Sequence, residues 1–584
     1  MEQKREEMRK KKKKKKFKAG LAKLIPIAVA VVLIIAIGVI YYGKEIVENV
    51  YYSSETKDLN EFYEIFSPDD VAVFVQNSYI PNKGKLINGT CYFNMNTVQE
   101  LFTDRFYINM EEGIVLYTTQ TDIYKTLIGE EFSSYYISGQ EKSLEASAAV
   151  LYEENVYISA EYLQLFAPFT YELYLEPNRV LIYNQWASRN VSLIDKDTNL
   201  RTHGGVKSPI VVPVAEGDSV YILEPMEKWT KVLTKTGFMG YVENRYLEDA
   251  GSEAMAEAPA VVEDGYTSIA KDYKINMAFH QVFSASANST FEEYTKNTQA
   301  INVIAPTWFR LEENGSFGSI ASKDYVEKAH AKGMEVWAVF TDVDKNVDLE
   351  AIFSTETGRE FTISQMMNYV NEYNLDGINI DFETVKAPGG DDFVQFLREL
   401  SIQTHAAGVV LSVDNYAPTA STEHYNRKEQ GLVADYVLIM GYDEHWGGSD
   451  VAGSVASIDF VEAGIQNTIA QGVPANKIIN AIPFYTRLWK IQGGVVSSEA
   501  LGMDKAENWV KNNGVEAVWD NLTCQYYAEK QTDTTTYQIW LEEEESIQTK
   551  LNVMNANGVA GVAEWKLGFE RPEIWTVIQA YVNS

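Results

Sequence analysis

The carboxyl-terminal part of the chain, residues 266–584, alternates short apolar runs with longer segments of helical periodicity. Eight runs have the length and residue content of strands, and they begin at Ile275, Ile301, Glu335, Leu375, Val409, Asp435, Lys477 and Gly558. Eight strands with intervening helices predict a (β/α)8 TIM barrel. Because active sites of such barrels lie at the carboxyl ends of the strands, we expect the chemistry there.

The fourth run carries the most informative polar pattern. In residues 379–383 the polar side chains of Asn379, Asp381 and Glu383 alternate with apolar ones, so all three should point into the barrel. Glu383 comes last and should reach the mouth, where the charge of Asp381 would raise its pKa, as a general acid requires. A satisfied polar core is the competing interpretation, and the position at the end of the strand argues against it.

The amino-terminal end combines a basic segment with an apolar one. Residues 1–23 contain 12 Lys or Arg and 3 Asp or Glu, and residues 24–42 contain no charge. Nineteen helical residues rise about 28 Å, so residues 24–42 predict a transmembrane helix. The positive charge predicts a cytoplasmic tail at 1–23 and a single-pass protein of the cell membrane, with the catalytic domain outside. A cleaved signal peptide is the alternative, which the lack of a small-residue cleavage site disfavours.

Two smaller domains are predicted between the apolar segment and the barrel. Residues 70–186 form short β-rich runs with a weak internal repeat, and they resemble stalk modules of copper amine oxidases and bacterial surface proteins. Residues 191–248 consist of short strands with Gly turns, resemble the bacterial SH3-like domain, and predict a small β-barrel. In that domain Trp229 and Tyr241 are candidates for cell-wall binding, with core packing as the alternative. Residues 249–264 are small and acidic, as linkers are.

Charge and metal-ligating residues exclude several classes of function. The whole chain carries a net charge of −32, and with the basic first 23 residues left out the remainder carries −41. So acidic a body repels phosphate backbones, which excludes nucleic acid as the main partner. The six histidines are scattered, and the two cysteines, Cys91 and Cys524, lie in different predicted domains. We therefore expect no metal site, no cofactor and no disulfide.

Four motifs in barrel order carry a family resemblance. Residues 375–383, Leu-Asp-Gly-Ile-Asn-Ile-Asp-Phe-Glu, match the signature of glycoside hydrolase family 18, the chitinase-like family. Residues 440–443 (Met-Gly-Tyr-Asp), 483–489 (Pro-Phe-Tyr-Thr-Arg-Leu-Trp) and 564–565 (Glu-Trp) resemble its sixth, seventh and eighth strands. The branch resembles spore-cortex and cell-wall N-acetylglucosaminidases. The resemblance implies a barrel enzyme that acts on glycans.

The resemblance also implies a role for each matching residue. Glu383 would protonate the glycosidic oxygen, Asp381 would orient the N-acetyl group of the substrate, and Tyr442 would hydrogen-bond the acetamido carbonyl. Trp565 would form an apolar floor, because the C–H face of a pyranose stacks on indole. The remaining substrate-binding residues would be Asn379, Met440, Asp443, Tyr485 and Arg487. In this family the N-acetyl group replaces the second carboxylate as nucleophile.

Asn379 is the main departure from many chitinases, which have Asp at this position. A neutral amide cannot share a proton with Asp381, so the pH profile should shift, although the family signature tolerates Asn. We predict a membrane-anchored extracytoplasmic glycosidase that cleaves β-linked N-acetylglucosamine glycans, either peptidoglycan or a chitin-like glycan. One alternative is an inactive, lectin-like wall protein, against which the retained Glu383 argues. Another is a structural wall tether that binds through the SH3-like domain.

Overall fold

The structure is a computed structural model that describes residues 2–50, 52–255, 257–262, 265–343 and 347–584, without the side chains of 15–25 and 43–50. The chain forms two compact units, Met1–Asp104 with Ala146–Val262, and Arg105–Glu145 with Glu263–Ser584. The segment predicted as one stalk-like domain, 70–186, is therefore divided between them. Residues 256, 263 and 264 of the predicted linker lie outside the described residues.

The first unit contains a long helix, Glu2–Val50, and two seven-stranded sheets. One sheet has the order Thr170–Tyr174, Arg179–Tyr183, Asp70–Val75, Ser78–Ile87, Thr90–Asn94, Asn155–Ser159, Ala149–Tyr152, and it carries the short helices Leu59–Phe62, Met95–Leu101 and Ala160–Leu163. The other has the order Ile210–Val214, Thr198–Arg201, Met239–Glu243, Trp229–Thr234, Ser219–Pro225, Arg189–Ile194, Leu247–Glu253. This second sheet contains the segment predicted to be SH3-like, an assignment that stays a prediction.

The predicted transmembrane helix at residues 24–42 is wrong. In the part of the chain that the structure describes, no helix combines the length and the apolar character needed to cross a bilayer. The side chains of Leu24 and Ile25 lie outside the described residues. The single-pass membrane location and the membrane partner rested on this helix and are corrected with it.

The predicted (β/α)8 barrel is confirmed in the second unit. Eight parallel strands, numbered here β1 to β8, close into a ring in chain order, with β2 paired to both β1 and β3 and β8 paired to β1. They are Ile275–His280, Val303–Pro306, Glu335–Thr341, Gly377–Asp381, Val410–Tyr416, Tyr436–Met440, Ile478–Pro483 and Gly561–Trp565. Apolar side chains such as Met277, Val339 and Leu438 pack inside the ring, while Ile378 and Val413 pack outward against the helices.

The helices of the second unit follow the strands in chain order. They are Phe291–Tyr294, Lys323–Ala331, Leu349–Phe353, Glu356–Tyr373, Gly390–Ala407, Arg427–Val433, Ile458–Ala470, Met503–Asn513, Glu544–Asn557 and Ile574–Val582. A short hairpin, Phe309–Leu311 with Phe317–Ser319, extends the sheet beside β3. After β7 the chain inserts a five-stranded antiparallel sheet, made of Tyr485–Gln492, Val495–Gly502, Val518–Asp520, Gln525–Gln531 and Thr535–Leu541.

A five-stranded meander from the earlier part of the chain belongs to the barrel unit. Its strands are Tyr107–Asn109, Ile114–Thr118, Ile123–Leu127, Ser134–Ile137 and Gln140–Ser143. Arg105 Nε lies 3.0 Å from Glu429 Oε1, and Arg398 Nε lies 2.8 Å from the same oxygen. Burial acts to raise the pKa of Glu429, but the two guanidinium groups outweigh it and lower the pKa. The meander is thereby tied to the helices that follow β4 and β5.

Glu429→Gln should destabilise the barrel unit by about 3 kcal/mol, because it leaves two buried guanidinium groups without their counter-charge. The measurement is urea unfolding followed by tryptophan fluorescence. Glu356→Gln is the matched control, because Lys125 and Glu356 form a pair whose side chains are 30% and 34% exposed. Breaking such a pair should cost less than about 1 kcal/mol. Equal costs for the two variants would contradict the role given to the buried cluster.

Candidate active site

A cavity of about 180 Å³ opens at the carboxyl ends of the barrel strands. Its walls come from β1, β4, β5, β6 and β8 and from the residues that directly follow these strands and β7. The lining residues are Phe279, Asp381, Glu383, Asp414, Tyr416, Met440, Tyr442, Asp443, Tyr485 and Trp565. The cavity therefore lies at the end of the barrel where the sequence predicts the chemistry.

Most of the predicted site residues lie together in this cavity. Seven of the nine line it, namely Asp381, Glu383, Met440, Tyr442, Asp443, Tyr485 and Trp565. Asn379 is fully buried one level deeper on β4. Arg487 is outside the lining, and its Nη1 donates to Ser498 Oγ at 3.0 Å. The chemical roles of all nine residues stay predictions.

Glu383 is held by a residue that the sequence reasoning missed. Asp342, which directly follows β3 and is fully buried, accepts hydrogen bonds from the backbone N–H of Glu383 at 2.8 Å and of Thr384 at 3.0 Å. It also accepts from the Thr384 hydroxyl. These bonds fix the path of the chain just after β4, and so they fix the point from which the Glu383 side chain projects.

The carboxyl groups around β4 raise one another's pKa. Burial raises the pKa of Asp381 well above its ordinary value, and the charges of Asp414, Glu383 and Asp342 raise it further. Burial also raises the pKa of Glu383, with the charges of Asp342 and Asp443 adding to the effect. A carboxyl group whose pKa is raised keeps its proton closer to neutral pH, which suits a proton donor.

Two side chains of β5 complete this wall and were also missed. Tyr416 donates its hydroxyl hydrogen to Glu383 Oε2, which lowers the pKa of Glu383 against the effect of burial. Asp414 accepts a hydrogen bond from Asn379 Nδ2 at 2.7 Å. Part of the signal was present in the sequence, because Ser412 and Asp414 alternate with the apolar Leu411 and Val413, although Asn415 interrupts the pattern before Tyr416.

The opposite wall of the cavity is largely aromatic. Trp565, the last residue of β8, packs against Phe279 with ring centroids 5.4 Å apart. Tyr442 meets Tyr485 edge to face at 6.2 Å, and the Tyr485 hydroxyl donates to Asp443 Oδ1 at 2.5 Å. An aromatic wall opposite a row of carboxyl groups suits a ligand with both C–H faces and hydroxyl groups. Within the described residues, no group of three or more His, Cys, Asp or Glu side chains could hold a metal ion.

Comparison with known proteins agrees with this geometry. The family model described as "Glycosyl hydrolases family 18" matches residues 238–570. The "Uncharacterized glycosylase YvbX" of Bacillus subtilis is 25% identical over 51% of this chain and 89% of that protein. The "Cortical fragment-lytic enzyme" of Bacillus anthracis is 26% identical over 49% of this chain and 70% of that protein.

A solved structure gives a further likeness. The crystal structure of the Bacillus cereus spore cortex-lytic enzyme SleL has a TM-score of 0.48 and 21% identity, over 56% of this chain and 76% of that one. The match of the family model covers more than half of the chain and includes every residue that lines the cavity. The chain therefore belongs to glycosyl hydrolase family 18 and is a glycoside hydrolase.

Proposed function

We propose that this glycoside hydrolase cleaves β-linked N-acetylglucosamine glycans, peptidoglycan or a chitin-like glycan, with the N-acetyl group of the substrate as nucleophile. The observation that carries the proposal is the arrangement on β4, where Glu383 stands at the mouth and Asp381 lies just below it. Both face the aromatic wall that contains Trp565. The name of the Bacillus anthracis relative, a cortical fragment-lytic enzyme, supports a cell-wall glycan.

The proposed reaction begins with proton transfer to the leaving group. Glu383 gives its proton to the glycosidic oxygen as the bond from that oxygen to C1 breaks. The acetamido carbonyl oxygen of the same sugar bonds to C1, which gives an oxazolinium ion. Asp381 orients the acetamido N–H and stabilises the positive charge that develops. Water then attacks C1 as the bond from C1 to the acetamido oxygen breaks, which restores the N-acetyl group, and the water loses a proton to the Glu383 carboxylate, which restores the enzyme.

The aromatic and polar groups opposite Glu383 would hold the sugar. Tyr442 would donate a hydrogen bond to the acetamido carbonyl, and Trp565 would stack under the pyranose ring. Asp443, oriented by Tyr485, would bind a sugar hydroxyl. The guanidinium of Arg487 is turned towards Ser498, so its contribution to sugar binding would require a change of side-chain conformation.

A glycan-binding function without catalysis is the second candidate, and the neutral Asn379 beside Asp381 favours it. In that case the cavity would hold an N-acetylated sugar and leave the bond intact. The segment 191–248 would add cell-wall binding through Trp229 and Tyr241, both half-buried in their sheet.

The first experiment compares wild type with Glu383→Gln on purified peptidoglycan and on chitin oligomers. Wild type should release new N-acetylglucosamine reducing ends, which mass spectrometry identifies. The amide cannot donate the proton, so the variant should lose at least about 100-fold in rate. Glu372→Gln, an exposed glutamate on the helix Glu356–Tyr373, is the matched control and should keep full activity.

The same assay with de-N-acetylated glycan tests the nucleophile. Without the acetamido carbonyl no oxazolinium ion can form, so this substrate should be inert. Cleavage of both glycans at equal rates would rule out the proposed mechanism. Binding without cleavage by wild type and variant alike would favour the lectin-like function.

Tyr416→Phe should move the alkaline limb of the kcat pH profile to higher pH. The Tyr416 hydroxyl lowers the pKa of Glu383, so its removal lets that pKa rise and lets the acid keep its proton longer. Loss of one hydrogen bond to a charged group, about 1.5 kcal/mol, should lower kcat about tenfold. Tyr526→Phe is the matched control, because it removes the hydrogen bond from Tyr526 on the insertion sheet to Glu545, away from the cavity. It should change neither the position of the alkaline limb nor kcat. If the alkaline limb stays in place in Tyr416→Phe, the role given to the Tyr416–Glu383 hydrogen bond is contradicted.

A further inference from the structure

Strand β5 presents a second row of polar side chains to the cavity, beside the row on β4. Asn379 of β4 is paired with Ser412 of β5, and Ile380 is paired with Val413. Asp381 and Asp414 therefore stand at the next level on neighbouring parallel strands, which run about 4.8 Å apart. Both carboxyl groups line the cavity, so they are side-by-side neighbours.

The amide of Asn379 determines how Asp414 is bound. Its Nδ2 donates to Ser412 Oγ at 3.0 Å and to Asp414 Oδ1 at 2.7 Å, which uses both hydrogens. An amide nitrogen can only donate, so it accepts no proton from either carboxyl group. Asp414 Oδ1 thus accepts a fixed hydrogen bond. The second oxygen of Asp414 is the one that can carry a hydrogen.

The surroundings of Asp414 are rich in negative charge. Glu383 acts on Asp414, and Asp414, Glu383 and Asp342 act on Asp381. The other titratable groups that line the same cavity are Tyr416, Tyr442, Asp443 and Tyr485. No lysine or arginine is among the described residues that line the cavity. Carboxyl groups this close in a partly dehydrated site cannot all be ionised, so they retain protons at neutral pH.

The pKa shifts agree with a retained proton on this pair. Burial raises the pKa of Asp414 to about 8, with the charge of Glu383 adding and the Asn379 hydrogen bond opposing. Burial has the largest effect on the pKa of Asp381, and among the neighbouring charges that of Asp414 raises this pKa most. Both shifts favour the protonated form, so the pair retains at least one proton near neutral pH.

We propose that Asp414 is a positioning residue that shares one proton with Asp381 and so sets the charge of Asp381 when the glycan binds. The proposal rests on the proposed function, in which Asp381 faces the acetamido group. As the glycan binds, the O–H bond on Asp381 breaks and an O–H bond forms on the second oxygen of Asp414. The pair keeps its net charge of −1, which now lies on Asp381, next to the developing oxazolinium ion. The proton of Glu383 takes no part in this step.

The test is the pH profile of kcat/KM on an N-acetylated oligosaccharide for Asp414→Asn. The new amide keeps an oxygen for Asn379 but removes the negative charge, so the pKa values of Asp381 and Glu383 should both fall. Both limbs of the profile should move to lower pH by about one unit. At pH 7 kcat should fall about tenfold while KM changes less than about twofold.

Two further variants separate charge from structure. Ser412→Ala removes the other acceptor of Asn379 without changing charge, so its profile should keep both limbs in place. The double variant Asn379→Asp with Asp414→Asn exchanges the amide and the carboxyl group of this hydrogen bond, so a carboxyl group again lies beside Asp381. Both limbs of its pH profile should therefore return towards the wild-type values. If Asp414→Asn lowers the rate but leaves both limbs of its pH profile in place, the proposal is overturned. It is also overturned if the pH profile of the double variant stays shifted to lower pH.

A measurement on the wild-type protein tests the shared proton without depending on whether any variant folds. Infrared difference spectra between pH 7 and pH 9.5 should show loss of a protonated carboxyl band as the pair releases its proton. Absence of that band would overturn the proton sharing. This readout does not depend on turnover, so a wild type that fails to cleave N-acetylated glycan would contradict the proposed function and leave the pair to be judged by its spectrum.

Discussion

The crowding of carboxyl groups at the carboxyl end of β4 is the constraint on which the site depends. Asp342, Asp381, Glu383 and Asp414 come from three neighbouring strands and meet beside one small cavity. Burial and the neighbouring charges raise the pKa values of Asp381, Glu383 and Asp414, which favours their protonated forms. The barrel makes this arrangement stable, because parallel pairing places the ends of β3, β4 and β5 at one level and the surrounding core holds them there.

Contacts around this cluster hold the Asp414 carboxyl group and the backbone beside Glu383. Asp342 binds the backbone after β4, and Asn379 binds Asp414 from below. Outside the barrel, Arg427 Nη2 donates to the Tyr416 carbonyl at 3.0 Å and holds the end of β5. The buried Glu429 on the same helix ties that helix to the meander. The meander, which is remote in sequence, thus supports the helices that follow β4 and β5. These two strands carry Asp381 and Asp414, and Glu383 directly follows the first of them.

Local pattern was enough to predict the barrel, and together with the family motifs it predicted seven of the ten residues that line the cavity. The alternation of Asn379, Asp381 and Glu383 revealed which face of β4 points inward, and four motifs placed β4, β6, β7 and β8. On β5 the alternation is interrupted by Asn415, so the pattern marks Asp414 and Tyr416 as inward-facing less clearly. Asp342 stands alone after an apolar run, so nothing in its neighbourhood marked it as a contact of Glu383.

The local sequence pattern did not predict two features, the long-range partners of the meander and the character of the amino-terminal helix. The meander of residues 105–145 looks like its β-rich neighbours in sequence, yet its hydrogen-bond partners on the helices lie 293 and 324 residues away. The apolar amino-terminal segment suggested a membrane span from the count of its uncharged residues, but no helix among the described residues has the length and apolar character to cross a bilayer. The meander shows that a composition pattern does not identify what a surface packs against.

The stereochemistry of the first product tests the central claim most directly. When the substrate's own acetamido oxygen attacks C1, water must then arrive from the opposite face, so the configuration at C1 is retained. Proton NMR during the first minutes of hydrolysis of an N-acetylglucosamine oligomer should therefore show the β-anomer before mutarotation. Initial release of the α-anomer would mean direct attack by water, and it would contradict a mechanism in which Glu383 is the single acid and the substrate supplies the nucleophile.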